Sequence, residues 1–207
     1  MPSVDFNQVA EVFMRPELLQ HPQIPAALAG VSPRIIMGQD WWDVQRRIVY
    51  AKNSGHCWAC GEEGRLEAHE VYEVDYKLGR MVFIEIVALC GLCHSFVHIG
   101  RTTRLMEEKK ITKEAWKQIL KHSLAVLKGA GLKAHWGLGI VLRFLPTSMS
   151  VKDVLWLTRV RLKRIEPIPP RPIPVPWRSW RMVFQDKEYP PRFLGPTESR
   201  NYYMTEE

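Results

Sequence analysis

The sequence predicts an α+β fold in which a small zinc-bound core is followed by helices and a proline-rich extension. The observations behind this prediction are two Cys-x-x-Cys pairs, a strand-like pattern between them, and an apolar helical pattern after them. The expected segments are an irregular and helical part over 1–40, a zinc-bound core over 41–104, a helical region over 105–165, and a proline-rich, basic and aromatic extension over 166–207.

The four cysteines of the chain form two pairs with metal-ligand spacing, namely Cys57, Cys60, Cys90 and Cys93. One Cys-x-x-Cys turn can place two sulfurs on a zinc ion, and two such turns complete a tetrahedral structural site. Two disulfides are the alternative. Because Met1–Ala10 lacks the basic start and apolar core of a secretory signal, we expect metal thiolates in a reducing, cytoplasmic compartment.

The segments around the cysteines predict a helix, a hairpin and a second helix. A helix over 41–53, capped by Asp40, is predicted from one apolar face: Trp41, Val44, Ile48 and Ala51. Leu66–Val74 and Arg80–Val87 are strand-like and are joined by a turn over 77–79. The second cysteine pair opens a short helix that Gly100 ends. Knuckle, hairpin, knuckle and helix in this order predict a treble-clef zinc fold.

The rest of the chain predicts helices and then extended structure. Thr112 caps an amphipathic helix that stops at 129–131. The apolar stretches Trp136–Leu145 and Val151–Val160 are also expected to be helical.

Six prolines in 167–176 predict a polyproline-like strap or spacer, with an SH3-type ligand as the alternative. Trp180–Phe184 resembles a strand. A protein partner that binds this aromatic extension is an alternative that the pattern itself does not support.

Three histidines form a second candidate site. His94 and His98 are four residues apart and share one helix face, and His69 is the only histidine of the hairpin. Three neutral imidazoles would bind a divalent metal and leave an open coordination position. The alternative is that the two helix histidines pack on the zinc helix. The remaining histidines are expected to be surface or packing residues: His21, His56, His122 and His135.

The hairpin also carries carboxylates, namely Glu70, Glu73, Asp75 and Glu85. One of them could orient an imidazole through its second nitrogen, and another could accept a proton from water. These residue types therefore favour metal-assisted hydrolysis.

The segments 57–60, 66–71 and 87–98 together resemble an HNH endonuclease, also called ββα-metal or His-Me finger, with a structural four-cysteine zinc. The stretch from Trp41 to Arg101 is more specifically similar to uncharacterised HNH-type proteins of bacteria and their phages. The resemblance implies a nuclease that acts in the cytoplasm of a bacterium or of a phage-infected cell. It says little about the rest of the chain.

Position by position, the resemblance implies His69, His94 and His98 as ligands of a catalytic Mg, Mn, Ni or Zn ion. It implies Glu70 as the general base, so the catalytic residues are His69, Glu70 and His94. Glu70 stands where the family usually has histidine, and Glu85 where it has asparagine. A second alignment makes His69 the base, with the metal bound by His94 and His98 alone.

Charge divides the chain unevenly. Residues 1–100 carry 8 Lys and Arg against 12 Asp and Glu, whereas residues 101–207 carry 21 against 10. A basic half suits a phosphate backbone. The expected DNA contacts are Arg101, Arg104, Lys109, Lys110, Arg159, Arg161, Lys163 and Arg164.

Two functions are consistent with these patterns. The first is a metal-dependent DNA endonuclease that hydrolyses phosphodiester bonds. The second is a non-catalytic zinc module with a degenerate site, which binds nucleic acid or a protein. No apolar run approaches the roughly 20 residues of a membrane span, so we expect no membrane partner.

Overall fold

A computed structural model describes residues 12–141 and 174–205, together with 150, 152 and 165–167. Within these ranges helices combine with one four-stranded sheet. This mixture confirms the predicted α+β class.

The described elements begin with helices, continue with the sheet hairpin and return to helices. In chain order they are α1 (Pro33–Met37), α2 (Gln39–Lys52), β1 (Leu66–Asp75), β2 (Arg80–Cys90), α3 (Gly91–Val97), α4 (Ile99–Glu107), α5 (Lys113–Gly129), α6 (Trp136–Val141), β3 (Arg181–Phe184), β4 (Lys187–Tyr189) and α7 (Pro196–Thr205). None of the helices described here is long and apolar enough to cross a membrane.

Strands β1 and β2 form the predicted antiparallel hairpin, in a register that places His69 opposite Val87. Its turn forms because the Asp75 carboxylate accepts hydrogen bonds from the backbone N–H groups of Lys77 (2.8 Å) and Leu78 (2.9 Å). Gly79 follows with φ +71°, a conformation that favours glycine. The hairpin is longer than predicted, because β2 continues to the second cysteine pair.

The C-terminal segment is part of the sheet. Strand β3 pairs in parallel with β2, and β4 pairs with β3, so the strand order is β1-β2-β3-β4. The strand-like pattern of 180–184 is therefore confirmed. The aromatic side chains here build a second small core together with the hairpin, and its buried members include Trp180, Met182, Phe184, Tyr72 and Met81.

The larger core lies between the hairpin, α3 and α5. Thr112 caps α5 as predicted, because its side chain accepts a hydrogen bond from the Ala115 N–H at 3.1 Å. Trp116 is fully buried, and its indole N–H donates to the Thr103 hydroxyl at 3.1 Å. This core includes Cys57 and Cys93, so α5 packs directly behind the cysteine pairs.

The predicted apolar face of α2 is wrong. Gly38, rather than Asp40, is the N-cap. Val44 and Ile48 are 49% and 45% exposed, whereas Trp42 and Val49 are buried. Trp41 of the predicted face is partly buried against the core, so only part of that face is packed. The contacts of α2 with the hairpin decide which face is buried.

The helix after the second cysteine pair is not ended by Gly100. It breaks earlier, at His98, whose backbone (φ −99°, ψ 34°) separates α3 from α4. Gly100 lies inside α4. The break leaves His98 one turn after His94, with its N–H donating to the His94 carbonyl at 3.2 Å.

Val49→Ala and Val44→Ala form a matched pair on α2. Val49 is 4% exposed, so we expect its truncation to lower the free energy of unfolding by about 1.5–3 kcal/mol. Val44→Ala should change it by less than about 0.5 kcal/mol. Urea denaturation measures both, and equal effects would contradict this orientation of α2.

Candidate metal centre

The four cysteine sulfurs converge on one point. Their Sγ atoms all lie within 4.8 Å of one another, and no disulfide joins these cysteines. The first pair is held in a tight turn because the Gly61 N–H donates to the Cys57 carbonyl at 2.8 Å, with Gly61 at φ +76°. The Trp58 N–H donates to Ala88 of β2 at 2.9 Å, which connects this turn to the hairpin.

This arrangement fits a structural metal, and four sulfur donors favour zinc. Cys57 and Cys93 are fully buried, and Cys60 and Cys90 are half-buried. Four sulfurs would fill the tetrahedral coordination of a zinc ion, so no position would remain for substrate. Four cysteine thiols without a metal would contribute little to the stability of the core. Four thiolates bound to one cation would stabilise the fold. The cysteine group therefore supports the structural role predicted for it.

His69, His94 and His98 form a second group, and one ring nitrogen from each lies within 4.8 Å of the others. The ring centroids are 5.4 Å apart for His69 and His94, and 4.8 Å apart for His69 and His98. Strand β1 supplies the first imidazole, and α3 with its C-cap supplies the other two. The hairpin and helix predicted to share a site do bring these side chains together.

Within the described part of the chain, His69 has no hydrogen-bond partner. It is 3% exposed, and neither of its ring nitrogens bonds to any described group. A buried imidazole without a partner is costly, because folding removes it from water and returns nothing. A metal ion beside His94 and His98 would remove this cost by accepting the lone pair of one nitrogen.

Glu67 orients His94. Its carboxylate accepts a short hydrogen bond from the Nδ1–H of His94, which leaves the Nε2 lone pair free for a metal. Glu67 is not among the carboxylates predicted from the hairpin. Because Glu67 and His69 are two positions apart on one strand, they share a face, and this spacing was the signal that could have identified it.

Two imidazoles of this site, those of His69 and His98, are kept neutral at neutral pH. Burial lowers the pKa of His69 well below 6.5. Burial, followed by the neighbouring His94, His21 and Arg101, lowers the pKa of His98 to about 4. Neutral imidazoles keep the lone pairs that a metal needs, so at neutral pH protons do not compete for these nitrogens.

The predicted base, Glu70, lies outside the three-histidine group. Its side chain lies near Ser32 and Arg34, and burial raises its pKa. As the neighbour of His69 along β1, it projects from the opposite face. Glu85 forms an ion pair with Arg15 at 2.6 Å. Both carboxylates thus lie against the N-terminal segment.

Two histidines expected to be ordinary lie against the metal sites. The His21 ring is 4.7 Å from that of His69, and its Nε2–H donates to the Glu70 carbonyl at 3.3 Å. His122 of α5 places Nε2 3.5 Å from the Cys93 sulfur. Its pKa is raised, chiefly by its hydrogen bond to a cysteine sulfur. Neither histidine lies at a spacing from the other site residues that would have identified it from the sequence.

The other two histidines are local packing residues, as expected. His56 Nδ1 lies 2.9 Å from the Ser54 carbonyl. His135 Nδ1 accepts the Gly137 N–H at 3.1 Å, and its ring lies against Trp136.

The predicted DNA contacts are only partly described. Arg101 and Lys109 are exposed, while Arg104 and Lys110 form ion pairs with Glu108 at 3.5 Å and 2.8 Å. The remaining four lie outside the described residues: Arg159, Arg161, Lys163 and Arg164. Of the described four, Arg101 lines the same pocket as His98.

Comparison of the chain with protein-family models, with curated proteins and with solved structures finds no match in any of the three. The geometry of the two sites is therefore what the functional proposal has to rest on.

Cys90→Ser tests the sulfur site. Loss of one ligand should release the ion and unfold the core, because metal-binding free energy here is folding free energy. The chain should lose its zinc and its cooperative melting transition, as measured by metal analysis and circular dichroism. His69→Ala is the matched control and should keep one zinc per chain. A Cys90→Ser variant that melts like the wild type would contradict a structural role.

His21→Gln tests whether the burial of His21 beside the three-histidine group makes the stability of the fold depend on pH. The pKa of His21 is about 4 instead of 6.5 because of burial, so between these values the unfolded chain binds more protons. The corresponding stability is complete above pH 6.5 and is lost as the pH falls towards 4. The substitution keeps a donor for the Glu70 carbonyl and should flatten the pH dependence by up to about 1.4 kcal/mol per pH unit. Urea denaturation at pH 5, 6 and 7 measures it, and an unchanged slope would be the contrary result.

Proposed function

We propose that the chain is a metal-dependent endonuclease of the HNH, or ββα-metal, type that hydrolyses phosphodiester bonds in DNA. The observation that carries the proposal is His69, a buried imidazole with two unbonded nitrogens, facing His94 and His98. Three imidazoles leave part of a divalent ion's coordination open to a substrate oxygen. We also propose that the core has a treble-clef fold, in which the four cysteines bind the structural zinc.

The residues have distinct roles in the proposed reaction. A divalent ion bound there would supply Lewis acidity to a phosphate oxygen and to the leaving 3′ oxygen. Glu67 holds His94 in the tautomer that a ligand needs. Two arrangements supply the base, and they exclude one another. If all three imidazoles bind the ion, Glu70, whose pKa is raised by burial, would take the proton from the attacking water. If His94 and His98 alone bind it, His69 would take the proton.

A carboxylate base has to be freed before it can act. Glu70 lies near Ser32 and projects from the face of β1 opposite to His69, so in the first alternative its side chain has to turn towards the ion when substrate binds. This placement favours the second function, a zinc module that binds nucleic acid or protein without cutting it. Cleavage assays separate the two.

A supercoiled-plasmid nicking assay with Mg, Mn, Ni or Zn tests the nuclease function. We expect His69→Ala to lower the nicking rate at least about 100-fold, since metal ligation is lost. His56→Ala is the control and should stay within about twofold. His56 is not part of the three-histidine group, and its ring bonds to the Asn53 and Ser54 carbonyls of its own turn. A wild type that is inert with every metal, like His69→Ala, would favour the binding module.

Glu70→Gln separates the two candidate bases. If Glu70 accepts the proton, the substitution should lower the rate by about 10²–10⁴-fold without loss of bound metal. If His69 is the base, Glu70→Gln should retain most of the activity. Metal analysis by mass spectrometry, run on the same samples, distinguishes a lost base from a lost ion.

A further inference from the structure

A pocket of about 390 Å³ lies beside the histidine group. His98 lines it and is also one of the three clustered imidazoles, so the pocket adjoins the candidate metal centre. Nothing in the proposed hydrolysis uses this space. A cavity of this size next to a reactive site is where part of a substrate is expected to bind.

The lining combines two kinds of group. Cationic or polar side chains and aliphatic side chains both contribute, and those that matter here are His21, His98, Arg101, Leu19, Ile24 and Leu138. The charge of Arg101 reaches His98, so a cation stands next to the imidazole group. Such a site suits a ligand that has both an anionic part and a flat apolar part.

We propose that this pocket receives one unpaired nucleotide beside the scissile phosphate, so that the enzyme acts on DNA that is single-stranded or locally unpaired there. This inference rests on the proposed nuclease function. The phosphate would lie by Arg101 and the histidines, and the base would contact the aliphatic side chains.

Size and shape favour an unpaired nucleotide over a duplex. Roughly 390 Å³ is near the lower end of ligand-pocket volumes, so it has room for one nucleotide and no base pair. A base stacked inside a duplex cannot enter a side pocket unless it leaves the stack. Apolar and imidazole surfaces accept any base face, so little sequence preference is expected.

Binding of fluorescein-labelled DNA octamers tests the proposal. Fluorescence anisotropy is measured at 4 °C with the metal-loaded protein, over times in which gels show the octamers intact. We expect a single strand to bind at least about tenfold tighter than a blunt duplex, and one abasic position in it to cost at least about fivefold. Equal binding of the single strand and the duplex, or no effect of an abasic residue at any position, would contradict the proposed nucleotide-binding role of the pocket.

Two matched pairs of variants locate the effect. Ile24→Trp should fill the pocket and remove the abasic penalty, whereas Ile24→Leu should keep it. Arg101→Gln should weaken single-strand binding at least about fivefold. Arg47→Gln, with the same charge change at an exposed position of α2 that is neither in the pocket lining nor among the expected DNA contacts, should weaken it less than twofold. If Ile24→Trp fails to fold, the arginine pair decides, and equal effects of the two arginines would contradict the proposal.

The nicking assay, run in parallel, separates this inference from the proposed function. Plasmid nicking without base-dependent binding would contradict nucleotide binding in the pocket and would still support the nuclease function. Base-dependent binding without cleavage by any metal would remove the nuclease and keep the pocket as a nucleotide-binding site.

Discussion

Four thiolates can stay together in a buried core only if a cation compensates their charge. Cys57 and Cys93 are fully buried, and closing this group ties the turn after α2 to the start of α3. Because α3 begins directly after Cys90, the same closure fixes the direction in which His94 and His98 project. The sulfur group is thus a structural requirement for the histidine group, even though the two share no ligand.

The hairpin divides its side chains between two tasks. Alternation along β1 places Glu67 and His69 towards α3, whereas Glu70 meets Ser32 on the other side. The first face has the properties of a metal site: clustered imidazoles, one orienting carboxylate and, among the described residues, no competing hydrogen bond at His69. The second face joins the hairpin to the N-terminal segment. Which face supplies the proton acceptor decides whether the site hydrolyses anything.

Local patterns predicted much of this architecture. The cysteine turns, the hairpin and the Thr112 cap depend on residues close in sequence, and all are present. His21 was not predicted as a neighbour of His69, because that contact depends on tertiary packing across 48 positions of chain. The buried face of α2 was assigned wrongly for the same reason: two apolar stripes compete on this helix, and only packing against the hairpin selects one.

Anomalous X-ray diffraction from crystals grown with zinc or manganese tests the central claim most directly, since it locates each ion. The account predicts two peaks per chain. One lies among the four sulfurs, and the other lies about 2.0–2.2 Å from ring nitrogens of His69, His94 and His98. A single peak at the cysteines, with His69 still without any ligand at saturating metal, would contradict it.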